Sequence, residues 1–332
     1  MRFEFATATR IVFAEGAFAE VAPAAAALGR RALVVTGAAE RYAIEGLHLP
    51  IRGEPNIDDI RFGADLARSE ACDVVVAIGG GSAIDAGKAL AAMLANPGDP
   101  LDYLEVVGQG RPLANPSVPF IAVPTTAGTG SEVTRNAVLA SPEHRVKASL
   151  RSAGMLPRLA IIDPQLTYDL PPAITASTGL DALAQVIEPY VSVRANPMTD
   201  LFCTEGIRRI AIALPRAFEN GADHEARSGM SWGSLLGGLS LANAGLGAVH
   251  GFAAPVGGMF PAPHGAVCAA LLPHAVEINV EALRARDPNG AALRRYDTVA
   301  RLLTGQPYAT ADDAVWWLEE ICAKLRIPPL RA

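Results

Sequence analysis

Four short, wholly apolar runs punctuate the first half of the chain: Ala32 to Val35, Val74 to Ile78, Phe120 to Val123 and Leu159 to Ile162. A strand with one wet face alternates polar and apolar residues. Runs without alternation belong to strands covered on both faces, as in a parallel sheet between layers of helix. Asp58 to Ser69 and Ala83 to Ala95, which lie between the runs, have helix-like composition. The βαβ alternation predicts an α/β domain over residues 1–164.

Past Asp163-Pro164 the pattern changes to long Ala/Leu-rich segments with no strand signal: Ser177 to Val191, Asp200 to Phe218, Ser234 to Ala254 and Ala311 to Leu325. Residues 165–332 are therefore expected to form an all-helical domain, with Pro164, Pro171 and Pro172 marking the boundary. No Asp, Glu, Lys or Arg stands between Ser228 and Val276, a stretch long enough to span a bilayer. Its Asn243, its histidines, its Pro255, Pro261 and Pro263, and its Ala/Gly-rich apolar content suit helices buried in a soluble domain better, so no membrane partner is expected.

The formal charge of −6 and the lack of any Lys/Arg run argue against a nucleic-acid surface and leave a small-molecule partner. Cys72, Cys203, Cys268 and Cys322 are scattered without CxxC spacing, and no signal-like segment precedes Phe3 to Phe13. Both features are those of a cytoplasmic protein without a disulfide framework.

Val74 to Ile78 runs directly into Gly79-Gly80-Gly81-Ser82 and then into a helix-like segment containing Asp85 and Lys88. A glycine run at a strand-to-helix turn lets backbone N–H groups approach a pyrophosphate, which the helix dipole also favours. The same string suits an ordinary tight βα turn. After the next apolar run comes a polar loop, Pro124-Thr125-Thr126-Ala127-Gly128-Thr129-Gly130-Ser131-Glu132. Its hydroxyl groups at the carboxyl end of a parallel strand suit a ribose, an amide or phosphate oxygens.

Asp181 and Gln185, four apart on a helix, project from one face. His250 lies in a Gly/Ala-rich helix and His264 in Pro263-His264-Gly265, fourteen residues later. A carboxylate with two imidazoles is a common set for a divalent transition ion that keeps positions open for substrate. Taken singly, each also fits a hydrogen-bonded core histidine or an Asp favoured by the helix dipole.

The strings IGGGSAIDAGKA, PTTAGTGSEVT, TGLDALAQVIEPYVS and AVHGFAAPVGGMFPAPHGAVCAALLPH, in this order from Ile78 to His274, resemble the successive signatures of the iron-containing (group III) alcohol dehydrogenases of the dehydroquinate synthase-like superfamily. The resemblance implies an N-terminal dinucleotide-binding α/β domain, an all-α C-terminal domain, and an active site in the cleft between them. It places the metal on Asp181, His250 and His264. It places NAD or NADP on Gly79, Gly80, Gly81, Ser82, Asp85, Thr125, Thr126, Thr129 and Ser131, with Thr36 and Gly37 at the end of the first strand. Lys147 looks like the family's lysine near the nicotinamide. A homodimer or higher homo-oligomer is also implied.

Four departures qualify what the resemblance implies. Gln185 stands where the family has a histidine ligand, and its neutral carbonyl is a weaker donor than imidazole. The metal is therefore left open between iron and zinc, with nickel or manganese as further options. Ala254 replaces a second histidine, a candidate proton carrier. Val35-Thr36-Gly37 lacks the Asp that NAD-preferring relatives often carry next, so NADP stays open. The stretch between Glu40 and Pro55 leaves hardly any room for the helix and strand that relatives place there.

The function expected is reversible hydride transfer between an alcohol and an aldehyde or ketone. The alternatives are a maleylacetate reductase-like reduction of a keto acid, a dehydroquinate synthase-like lyase, and a catalytically degenerate nucleotide-binding relative.

Overall fold

The computed structural model describes residues 2–37 and 42–330. Contacts divide the chain into two units, one made of Thr7–Thr126 and Ser131–Leu166, the other of Met1–Ala6, Ala127–Gly130 and Thr167–Ala332.

The first unit contains β1 (Ile11–Phe13), α1 (Val21–Leu28), β2 (Ala32–Thr36), β3 (Leu47–Pro50), α2 (Ile57–Ser69), β4 (Val74–Gly79), α3 (Gly81–Ala95), α4 (Pro100–Tyr103), β5 (Phe120–Pro124), β6 (Asn136–Ser141), β7 (Val146–Arg151) and β8 (Leu159–Ile162). Six strands form one sheet in the order β1-β8-β5-β4-β2-β3, and every pairing in it is parallel. The four apolar runs are its four central strands. Successive residues point to opposite faces. Leu33, Val35, Val75, Ala77, Phe120 and Ala122 accordingly pack with residues of α2 and α3, while Val34, Val74, Val76, Ile121 and Val123 pack with Val21 and Ala25 of α1.

β1 and β3 had no counterpart among the expected strands. β3 lies in the short Glu40–Pro55 stretch, where hardly any room for a helix and a strand was expected, and it pairs in parallel with β2 from Leu33–Leu47 to Thr36–Pro50. β6 and β7 form a separate antiparallel hairpin, which places Lys147 opposite Ala140 on a strand.

The second unit is helical: α5 (Pro172–Val191), α6 (Pro197–Glu219), α7 (His224–Ala244), α8 (Ala248–Met259), α9 (His264–Arg286), α10 (Ala291–Thr304) and α11 (Ala311–Lys324). The single helix expected over Ser234 to Ala254 is instead two. Gly245 ends α7 at φ 72, a left-handed value that favours glycine, and α8 leaves at a bend of 96°. Among the described residues α9 is the one unbroken helix long and apolar enough to cross a membrane by length and composition. Its Val267, Cys268, Ala269, Leu272, Val276 and Val280 join the buried core of this unit.

Residues 127–130 group with the helices, although the expected boundary placed all of 1–164 together. Gly128 accounts for part of this, because its oxygen accepts from Gln185 Nε2 at 3.0 Å. Gly130 accounts for more: it has φ +57, and a Cβ there would lie 2.5 Å from Gly238 Cα of α7.

Candidate functional site

In the first unit the glycine turn and the start of the second polar loop lie side by side because β4 and β5 are neighbours, with Gly79 opposite Pro124. Thr125 N donates to Gly79 O at 2.9 Å. A Cβ on Gly79 would meet Ala83 Cβ at 2.6 Å, and one on Gly80 would sit 3.4 Å from Thr126. The backbone is therefore bare where Gly80 caps α3, and the cap residue itself offers no side chain to the helix's first N–H groups. An uncapped helix N-terminus behind a side-chain-free turn fits a pyrophosphate. Gly81 and Ser82 open α3, while Thr125, Thr126 and Thr129 are half-buried. Thr36 is buried at the end of β2, and the Cβ position of Gly37 faces open space.

Asp85, expected to face the cofactor, is engaged within its own unit. Its Oδ1 accepts from Ser131 Oγ and its Oδ2 accepts from Val138 N at 3.0 Å. One helical turn on, the ammonium of Lys88 is fully buried. It donates to Ser131 O at 3.0 Å, Thr134 Oγ1 at 2.8 Å and Asn136 O, and lies 3.2 Å from Asp85 Oδ1. Burial holds Lys88 below the ordinary lysine value, with Asp85 opposing. Burial also pushes Glu132 up to about 7, against its own backbone N–H and the Lys88 charge. Lys88 thus fastens the second loop and the first strand of the hairpin to α3. Lys147, expected beside the nicotinamide, sits largely buried on β7 with its ammonium paired to Glu54.

In the second unit α5 presents Asp181, Gln185 and Glu188 at helical spacing, all buried. α8 brings His250 and α9 begins at His264. His250 Nε2 lies 3.2 Å and His264 Nε2 3.7 Å from Asp181 Oδ1. Donor atoms of Asp181, His250, His264 and Cys268 all fall within 4.8 Å of one another. Glu188 Oε2 meets His250 Nδ1 at 2.6 Å and its Oε1 accepts from Val249 N at 2.7 Å. A carboxylate accepts and does not donate, so Nδ1 carries the hydrogen and Nε2 is turned to the cluster. The Gln185 amide donates to the backbone carbonyl oxygens of Gly128 and Asp181 at 3.0 and 3.4 Å.

Burial alone would lower His250, but bonds to Asp181, Cys268 and Glu188 outweigh it and set the imidazole well above the ordinary value. Burial likewise raises Asp181, and the charge of His264 with the bond to His250 reverses this, holding the carboxyl below its usual range. The group is thus a strongly coupled donor set drawn from three helices. A cation in its midst would satisfy the buried carboxylate and both imidazole lone pairs, so the residues fit a divalent ion.

Glu188 and Cys268 were not among the expected site residues. Both carried a signal: Glu188 continues the Asp181–Gln185 stripe by one turn of an otherwise apolar helix, and Cys268 follows His264 by four. Phe252, Met259 and Phe260 are exposed and so are not core.

The fold and its two constellations define a class: a parallel α/β unit with a nucleotide-type turn, followed by a helical unit with a metal-type donor cluster. Two family models match the chain, "Iron-containing alcohol dehydrogenase" over residues 8–164 and "Fe-containing alcohol dehydrogenase family, C-terminal" over residues 175–330. Alcohol dehydrogenase 4 of Schizosaccharomyces pombe is 37% identical over 279 residues, a match covering 84% of this chain and 63% of that relative. It therefore spans less than two thirds of that relative's length. The NAD-dependent methanol dehydrogenase of Bacillus methanolicus is 35% identical over 333 residues, covering 96% of this chain and 85% of its own. The crystal structure of a 1,3-propanediol oxidoreductase superposes with a TM-score of 0.88 at 33% identity, covering 99% of this chain and 88% of that one. The chain belongs to the iron-containing alcohol dehydrogenase family.

Proposed function

We propose that this protein is an NAD(P)-dependent, metal-assisted oxidoreductase that interconverts an alcohol with an aldehyde or ketone. The cluster of Asp181, His250 and His264, with His250 steered by Glu188, carries this reading. Its family membership and the activities named for its relatives support it.

Asp181, His250 and His264 would hold the ion. A divalent ion there supplies a Lewis-acid contact that lowers the pKa of an alcohol or polarises a carbonyl. A nicotinamide held at the Gly79–Ser82 turn would supply the two-electron acceptor or donor for the carbinol or carbonyl carbon, with the hydroxyl proton exchanged with solvent.

The chain's own residues orient and fasten. The Gly79–Ser82 turn and the N-terminus of α3 receive the pyrophosphate. Thr125, Thr126, Thr129 and Ser131 offer hydroxyls to the rest of the cofactor. Asp85 is a positioning residue that holds Ser131 and the β6 backbone in place. Glu188 holds a proton on His250 Nδ1, so that Nε2 is presented as a lone pair. Ala254 offers no proton-carrying group. Four unpaired cysteines support a reducing cytoplasm, in which we place the protein as a homo-oligomer.

The test is an NAD- and NADP-coupled screen of primary alcohols, diols and their aldehydes on the metal-loaded protein. Turnover is expected in the wild type and a loss of at least about a thousandfold in Asp181→Ala with its fold intact, since a missing ligand removes the Lewis acid. Tight NAD binding without net reduction on any alcohol or aldehyde would move the protein to the lyase alternative.

A further inference from the structure

We infer that Cys268 is the fourth protein ligand of the ion held by Asp181, His250 and His264, in place of the family histidine that Gln185 replaces. This inference presupposes the metal site of the proposed function and adds a ligand to it.

The placement comes from α9. His264 is its first residue and Cys268 lies one turn on, so the two side chains share a face. Cys268 is fully buried, and its Sγ lies 3.6 Å from His264 Nε2. A buried cysteine among apolar groups is an inert hydrophobe. This one faces a carboxylate and two imidazoles, with all four donor atoms within 4.8 Å of one another.

Bond lengths allow a check. Zinc binds thiolate at about 2.3 Å and imidazole or carboxylate at about 2.0–2.2 Å, so ligand atoms on a tetrahedral ion are about 3.3 Å apart for N and O and about 3.6 Å for S and N. The structure has 3.2 and 3.7 Å for the two N–O pairs and 3.6 Å for the S–N pair. These three of the six edges suit one shared centre, and the other three lie within 4.8 Å, so the side chains draw together by some tenths of an ångström or more on an ion.

Gln185 does not compete for the role. Its amide nitrogen is bound to the backbone carbonyl oxygens of Gly128 and Asp181, which ties residues 127–130 to α5. A structural job at position 185 and a thiol at 268 together explain how a site can lose its family histidine and keep four donors. On metal binding the S–H bond of Cys268 breaks, a sulfur–metal bond forms and the proton leaves to solvent. One carboxylate and one thiolate then balance a divalent ion, and the soft sulfur favours zinc over manganese.

The experiment uses the whole chain, stripped with chelator and reloaded with one equivalent of cobalt(II). A thiolate-to-cobalt charge-transfer band in the near ultraviolet is expected. It should persist in Gln185→Ala, Cys72→Ser, Cys203→Ser and Cys322→Ser and vanish in Cys268→Ser. Zinc affinity, read by chelator competition, should fall at least about tenfold in Cys268→Ser, because loss of a mere outer partner of a ligand already costs that much.

Stoichiometric cobalt without the band, or the same band in Cys268→Ser, overturns the assignment and leaves the three-ligand site standing. Failure of the wild type to bind cobalt or zinc overturns both. The wild-type spectrum decides the matter even if Cys268→Ser does not fold.

Discussion

Glu188 grips His250 and the start of its helix with one carboxylate, accepting from Nδ1 at 2.6 Å and from the neighbouring Val249 N at 2.7 Å. The residue that aims the imidazole therefore also caps α8 and helps fix the bend that follows Gly245. Glu188→Gln keeps the shape but turns an obligate acceptor into a group that can present either end. Metal affinity is expected to fall about 10–100-fold. Chelator competition on the folded variant checks this, and an affinity equal to wild type would show that Glu188 only caps the helix.

Lys88 is a buried cation whose partners all belong to the loop and hairpin that follow β5, apart from Asp85 on its own helix. Lys88→Met keeps the length and apolar stem but strands two backbone carbonyls and Asp85. Removing one partner of such a buried set costs about 3–5 kcal/mol. Denaturant unfolding, followed by a probe in the first unit, should show a loss of that size, and NAD should bind more weakly as Ser131 loosens. A loss under about 1 kcal/mol would mean that water replaces the ammonium without strain.

The parallel sheet and the helical second half were legible because each obeys a local rule. Val74–Ile78 is apolar on both faces since α1 covers one side and α2 and α3 the other. β1 has only three residues and β3 only four, two of them exposed, so neither left a run to read. The hairpin alternates as expected for a half-buried pair, yet Lys147 on it resembles any loop lysine until β6 is found opposite. At the candidate metal centre, Asp181, His250 and His264 stand out only because the family motifs frame them. Glu188 and Cys268 acquire their meaning from contacts 62 and 4 residues away, and the longer of these is invisible to any local pattern. The break at Gly245 was missed because its flanks are equally apolar, and only the backbone angle separates the two helices.

Glu132 supplies a pH dependence with a definite sign. Its folded value of about 7 lies above the ordinary 4.5, because burial disfavours the charged form. Between those limits the folded chain keeps a proton that the unfolded chain has released. Its contribution to stability is therefore fullest below pH 4.5 and is lost as pH rises to about 7, by up to about 3 kcal/mol. Glu132→Gln should gain stability relative to wild type across that window and then run parallel to it. Paired denaturation curves at acid and neutral pH check this, and a constant difference between the two proteins would contradict it.

On the proposed function, Asp181, His250 and His264 hold an ion on which nicotinamide-dependent alcohol chemistry depends. Appearance of reduced nicotinamide should be followed with a primary alcohol and either NAD or NADP, using loaded, chelator-stripped and reloaded protein. Turnover in the loaded protein, its loss on stripping and its return with zinc or iron is the expected result. An undiminished rate in the metal-free protein, or no reduction of either cofactor by the loaded one, would contradict it.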